Sequence, residues 1–216
     1  MLKKSIKSGG LQLKQKIHHI ILDAATPAYE HKYLFFYFSK GLGCVFLIAF
    51  LSLAVQFNGL FSSSGILPIK STLNAINSQL SWHMLPHIVF NGSDSYLWGL
   101  LLVGIIASSC LIGGALPFVS TALCWLIYLS FVNLGSIFMS FQWDILLLEI
   151  GFFSTWAMPM CWFWKPSSAY CPPKLFLLVA TQCCVRLLFF SGVVKLLSQD
   201  TLWTSLTALN VHYFTQ

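Results

Sequence analysis

Gln142-Trp-Asp-Ile-Leu-Leu-Leu-Glu-Ile-Gly151 opens an apolar run that extends to Trp164. Two carboxylates, Asp144 and Glu149, lie inside this run. A charged side chain at the centre of a bilayer costs at least roughly 2.5 kcal/mol, so such residues usually have a partner or a function. The remaining acids lie outside apolar runs; they are Asp23, Glu30, Asp94 and Asp200. The buried chemistry of this chain is therefore expected to start at Asp144 and Glu149.

The composition is that of a multi-pass membrane protein. Of the 216 residues, 57% are hydrophobic and only 8% are charged, whereas soluble domains carry about 25% charged residues. The formal net charge is +6, and most of the excess is N-terminal lysine. That distribution indicates membrane orientation and not nucleic-acid binding.

The cysteines and histidines show no metal-binding pattern. Six of the seven cysteines lie inside apolar runs, where a cysteine usually acts as a small core residue. His83 and His87 have the spacing of helical metal ligands, but Pro86 interrupts that turn. We expect no metal and no cofactor.

Residues 1–40 form a basic lead that contains seven lysines. A secretory signal peptide would place its apolar core nearer the start, so we expect the lead to be retained and cytoplasmic. Residues 13–21 have the pattern of a short surface helix on anionic lipid. An aromatic belt at the membrane interface is expected to follow; it comprises Tyr29, Tyr33, Phe35, Phe36 and Tyr37.

An all-α, polytopic transmembrane helix bundle follows from five apolar segments of about 20 residues each. The predicted spans are 41–60, 97–116, 117–139, 143–164 and 174–197. With the N-terminus cytoplasmic, the inner side holds the leading lysines, Lys165 and Lys174, as the positive-inside rule requires. The C-terminus then lies outside, on the lumenal side.

Glycine and proline at Gly113–Pro117 predict a tight turn between the second and third spans. The second span carries two pairs of small residues four apart, Gly104/Ser108 and Ser109/Gly113. Such pairs let helix backbones approach closely. We expect packing within this bundle, and a homodimer contact is the alternative.

Two amphipathic helices are predicted on the lumenal side. In the loop 61–96, an apolar stripe runs along residues 68–80, opposite Lys70, Asn74 and Asn77. In the tail 198–216, a second stripe runs along residues 201–214, after the cap-type residues Ser198 and Asp200. Trp203, His212 and Tyr213 of this tail form a candidate surface for a lumenal partner.

The fifth span carries Arg186 and Lys195, which complete a candidate buried charged network with Asp144 and Glu149. In depth, Glu149 and Arg186 are compatible with a buried pair. Asp144 and Glu149 are about 140° apart around their helix, so a second pair on the same seam is disfavoured. Asp144 and Lys195 are therefore assigned to the outer interface. The network is interpreted as structural, with a proton path or ligand site as the alternative.

Several blocks resemble the lipase maturation factor family. These are 56–60, 65–68, 141–152, Arg186, 191–196, Asp200, Trp203, 206–209 and 212–216. The block 141–152 is similar to the most recognisable membrane motif of that family. The resemblance implies a multi-pass protein of the endoplasmic reticulum membrane that helps secreted lipases fold and assemble as active dimers.

The resemblance also implies that residues 198–216 begin a C-terminal domain that handles the client. A short bacterial relative in an inner membrane is the other possible source. We expect a non-catalytic maturation factor, whose partners are the lipid bilayer and secreted lipases. The alternatives are an integral membrane enzyme or a transporter, and either would use Glu149 and Arg186.

Overall fold

A computed structural model describes residues 26, 31–79, 86–168, 170–208 and 210 of the chain. The helices are α1 (Lys32–Leu60), α2 (Ile69–Gln79), α3 (Asp94–Gly113), α4 (Pro117–Gly135), a 3₁₀ turn (Ser136–Met139), α5 (Gln142–Ala157), α6 (Lys174–Leu197) and α7 (Thr201–Thr204). No strand occurs within these ranges, only an isolated bridge between Ala115 and Phe163. The expected all-helical membrane fold is confirmed. Two compact units are present, Met1–Phe176 and Leu177–Gln216.

Four of the described helices are long and apolar enough to cross a membrane: α1, α3, α4 and α6. Helix α5 is shorter, with 16 residues, which is about 24 Å against a hydrocarbon thickness of about 30 Å. The helix ends at Ala157, before the predicted boundary at 164, and the membrane span over 143–164 stays a prediction.

Pro159 explains why α5 stops early. The residue before a proline is driven out of the helical region, and Met158 is extended with ψ 144°. The Tyr170 hydroxyl donates to the Ala157 carbonyl, which has no donor within α5 because the helix ends there. Burial raises the pKa of Tyr170, with a smaller contribution from Cys171, so the hydroxyl keeps the proton that it donates.

The residues after α5 continue towards the start of α4. Leu116 donates its backbone N–H to Trp162, and Trp164 donates to Gly114. Because α5 begins shortly after α4 ends, and Phe163 pairs with Ala115 just before α4 begins, residues 142–163 run back along the whole length of α4. The predicted span over 143–164 thus consists of a helix followed by an extended segment.

Helix α1 supplies the centre of the first unit. Phe46, Phe50 and Phe57 lie on one face and are fully buried. The helix begins at Lys32, so the last residues of the predicted lead are helical. Phe35 and Phe36, which the sequence assigns to the interfacial belt, are instead buried and contact Trp164. Tyr33 and Tyr37 are exposed.

Small residues decide how closely α3 approaches α1. A Cβ atom at Gly104 would lie 2.8 Å from the Phe50 ring, and one at Gly43 would lie 3.3 Å from the Ser108 carbonyl oxygen. The Gly104/Ser108 pair is therefore packed inside the bundle, as expected. The second pair, Ser109/Gly113, is exposed on this unit.

The turn between α3 and α4 depends on Gly114. This residue has φ 85°, which favours glycine, and it ends α3 as a left-handed cap. The Lys40 ammonium donates to the Leu111 carbonyl at 2.9 Å and lies over the Phe36 ring. A cation is stabilised at a helix C-terminus, because unpaired carbonyls carry partial negative charge there.

The predicted helix at 68–80 is observed as α2, with Ile69 and Leu73 buried and Lys70 and Asn74 exposed. The α2 helix contacts α4. The loop that precedes α2 is fixed to α3, because Asp94 accepts hydrogen bonds from both the backbone N–H and the hydroxyl of Ser63.

The predicted tail helix over 201–214 is interrupted in the part that the structure describes. Asp200 caps α7 as expected, accepting from the Leu202 backbone N–H. The helix ends at Thr204, and Leu206 takes a left-handed conformation with φ 59°. Several expectations lie outside the described residues: the surface helix over 13–21, Tyr29, Leu80, His83, His212 and Tyr213.

Substituting Gly104 by alanine should destabilise the bundle by about 1–3 kcal/mol, because the added methyl group would overlap the Phe50 ring. Gly99→Ala in the same helix is the matched control, since nothing lies within 4 Å of a Cβ there. Thermal unfolding in detergent or nanodiscs checks this. Equal unfolding temperatures for the two variants would contradict the packing described above.

Candidate functional site

Asp144 is buried where α5 begins. Its side chain is 5% exposed and lies in the first turn of the helix, where the helix dipole favours a negative charge. The Tyr128 hydroxyl of α4 donates to the carboxylate Oδ1 at 2.5 Å. A hydrogen bond to an ionised acceptor is about twice as strong as one between neutral groups. Tyr128 therefore offsets part of the cost of burying Asp144.

Tyr128 is held in place by α1. The Phe46 and Phe50 rings contact the Tyr128 ring nearly at right angles, with centroids 6.0 and 5.8 Å away. Edge-to-face contacts of this kind are favourable for aromatic rings. These contacts restrict the rotation of the Tyr128 side chain, so its hydroxyl stays directed at Asp144.

A second hydrogen bond joins α4 to α5 one turn further along. Trp125 lies three residues before Tyr128, and its indole N–H donates to the Leu148 carbonyl at 2.9 Å. Leu148 lies four residues after Asp144, so both hydrogen bonds join the same face of α4 to the same face of α5. Together they fix the rotation of α5 about its axis.

A cavity of about 400 Å³ borders this site. Asp144 and Tyr128 line it, together with Ser52 and Gln56 of α1. Gln56 donates one amide hydrogen to the Ser52 hydroxyl at 3.1 Å. The other lining residues are apolar: Val45, Ile48, Ala49, Leu53, Leu60, Phe61, Phe138, Met139, Phe141, Trp143 and Leu147. The candidate site is thus a largely apolar cavity with one carboxylate in its wall.

The other predicted charged residues are distributed over both units. Glu149 is half-buried on α5, and Arg186 is exposed on the part of α6 that belongs to the second unit. The Glu149–Arg186 pair stays a prediction. Lys195 and Trp203 come together in the second unit, where the ammonium lies 4.6 Å from the ring centroid. Of the predicted partner surface, Trp203 alone is described.

Two contributors to the site and its scaffold were not found from the sequence. Tyr128 and Lys40 lie in mainly apolar helices, and Tyr128 was the only tyrosine in its span. An isolated polar group in an apolar helix normally finds a partner when it is buried, so this pattern was available as an indication. The partner of Tyr128 could not be predicted, because the sequence does not specify how α4 and α5 are rotated about their axes.

The family model described as "Lipase maturation factor transmembrane domain" matches residues 35–216. The chain belongs to the lipase maturation factor family. Lipase maturation factor 2 of Xenopus laevis is 36% identical over 204 residues, which cover 87% of this chain. The human proteins named lipase maturation factor 2 and lipase maturation factor 1 are 34% and 29% identical, over 83% and 89% of the chain.

This member of the lipase maturation factor family spans only part of the length of those relatives. The aligned region covers 28% of the Xenopus protein and 37% of human lipase maturation factor 1. No solved structure matches the chain. The Asp144–Tyr128 contact and the cavity both lie inside the region that the family model matches.

Removing the Tyr128 hydroxyl should destabilise the bundle by about 1–3 kcal/mol, because a buried carboxylate loses its donor. Tyr37→Phe is the control, since that ring is 64% exposed. Unfolding of Tyr128→Phe, Asp144→Asn and the double variant should be non-additive by about 0.5–3 kcal/mol. Additive effects would show that the two groups do not act as a pair.

Proposed function

We propose that this chain is the membrane domain of a maturation factor that helps secreted lipases fold and assemble in the endoplasmic reticulum. The observation that carries the proposal is the family match over residues 35–216, which includes all but the first three residues of the described helices that could span a membrane. The relatives it resembles are named lipase maturation factors. That match does not favour the enzyme and transporter alternatives.

In this proposal, the bundle is a rigid membrane anchor that presents its outer end to the client. The described outer loops are pinned to the helices by hydrogen bonds. Ile88 donates its backbone N–H to the Ser130 hydroxyl, and the Tyr96 hydroxyl donates to the Ile88 carbonyl. The exposed face of α2 and, in the second unit, Trp203 with His212 and Tyr213 are the surfaces proposed to contact a partner.

We also propose the five-crossing orientation, with the N-terminus cytoplasmic. The distribution of charge in the first unit supports it. Lys40 lies beside Gly114, which is hydrogen-bonded to Trp164, and Lys165 follows directly. Asp94 lies at the opposite end of α3 from these lysines. Basic residues at one end of a bundle indicate the cytoplasmic side.

Selective permeabilisation tests this orientation. In cells whose plasma membrane alone is opened, an epitope tag at the N-terminus should be stained by antibody. A tag inserted after Ser64 should be stained only after the internal membranes are dissolved. Staining of the second tag without dissolution of the internal membranes would reverse the orientation.

Deleting the native gene should reduce the activity of secreted lipases several-fold at unchanged transcript levels. The physical reason is that unassembled lipase is retained and not secreted in active form. Secreted lipase mass and activity would be measured before and after the native gene product is restored. A secreted non-lipase reporter serves as the control.

Unchanged lipase activity after deletion would contradict the proposed function. An equal loss of the non-lipase reporter would contradict it as well, because that result points to secretion in general. Fluorescence co-localisation with an endoplasmic reticulum marker tests the compartment separately.

A further inference from the structure

The cavity beside Asp144 is elongated along α1. Its lining residues on that helix run from Val45 to Leu60, a distance of about 22 Å at 1.5 Å per residue. Its volume of about 400 Å³ lies at the lower end of the range for ligand pockets, which is about 300–1,000 Å³. These dimensions suit one long, narrow hydrocarbon body and a small head group.

Hydrogen bonding within the wall determines what head group fits. The Tyr128 hydroxyl donates its one hydrogen to Asp144, and Gln56 donates an amide hydrogen to Ser52. The Asp144 carboxylate can only accept from a ligand, whereas the Gln56 amide and the Ser52 hydroxyl can accept and also keep a hydrogen to donate. A ligand hydroxyl, which both donates and accepts, suits this wall.

The charge of the wall excludes an anionic head group. Asp144 is a carboxylate, and no Lys, Arg or His is among the described residues that line the cavity. Two like charges repel strongly where water is scarce, because the effective dielectric constant is low. Phospholipid head groups with a free phosphate charge are disfavoured here, whereas an uncharged hydroxyl is not.

We propose that this cavity binds a membrane amphiphile with one elongated hydrocarbon body and an uncharged hydroxyl head, whose hydroxyl donates to Asp144. Acylglycerols with a single chain and sterols both have this chemistry. The hydrocarbon body lies along the apolar wall formed by residues such as Val45, Ile48 and Leu147. The proposal is independent of the lipase function.

Photo-crosslinking to the full chain in nanodiscs tests the proposal. A photoreactive monoacylglycerol and a photoreactive sterol are the two probes, and mass spectrometry locates the labelled residues. We expect one of them to label residues 45–60 or 138–147, and unlabelled competitor to reduce that labelling several-fold. The probe that labels identifies the lipid source.

Two variants and a control make the test specific. Ala49→Phe fills the cavity and should reduce labelling at least tenfold. Gln56→Leu removes an exposed acceptor and should reduce it several-fold. Val55→Phe is the matched control, because Val55 is 86% exposed on α1 and does not line the cavity. Thermal unfolding shows whether each variant is folded.

Three results would overturn the proposal. The first is that neither probe labels the cavity residues. The second is labelling of folded Ala49→Phe at the level of the Val55→Phe control. The third is equal labelling by an analogue whose head group carries a phosphate, since the wall would then show no selectivity for an uncharged hydroxyl.

Discussion

Two phenylalanine rings of α1 hold the first unit together. Phe50 contacts α3 at Gly104, Phe46 contacts α5 at Gly151, and both rings contact Tyr128 of α4. Lipid chains are as apolar as these side chains, so the hydrophobic effect does not drive helices together inside a bilayer. Close van der Waals packing has to do so. The two glycines matter because they admit an aromatic ring where any side chain would keep the helices apart.

The same packing makes the buried carboxylate tolerable. Phe46 and Phe50 fix the Tyr128 ring, and the Tyr128 hydroxyl reaches Asp144. A polar group in hydrocarbon has no water to bond, so its partners must come from the protein. Lys40 at the end of α3 and Tyr170 at the end of α5 follow the same rule, because each donates to a backbone carbonyl near a helix C-terminus.

Membership of the lipase maturation factor family gives these contacts a functional context. The family model covers the whole of the described bundle after its first residues. These contacts make the bundle rigid, which is what the proposed role as a membrane anchor requires. The lipid proposed to bind at Asp144 would further stabilise the arrangement of α1, α4 and α5.

The sequence by itself determined the membrane class, the helical fold, the break at Gly113–Pro117, the α2 helix and the family. All of these follow from local composition, from periodicity or from motifs. The sequence also contained the reason why α5 ends at Ala157, since Pro159 follows closely, but the apolar run concealed it. Leu206 gave no such indication, because a left-handed leucine is not encoded by residue type.

Only the tertiary structure decided which polar groups meet. Tyr128 and Asp144 are 16 residues apart and lie on different helices. Their contact depends on the rotation of α4 and α5, and Phe46, Phe50 and Gly151 set that rotation through packing. Phe35 and Phe36 likewise became core residues because Trp164 returns to cover them. Helix periodicity determines which residues share a face. Which helix packs on that face depends on the shapes of residues distant in the chain.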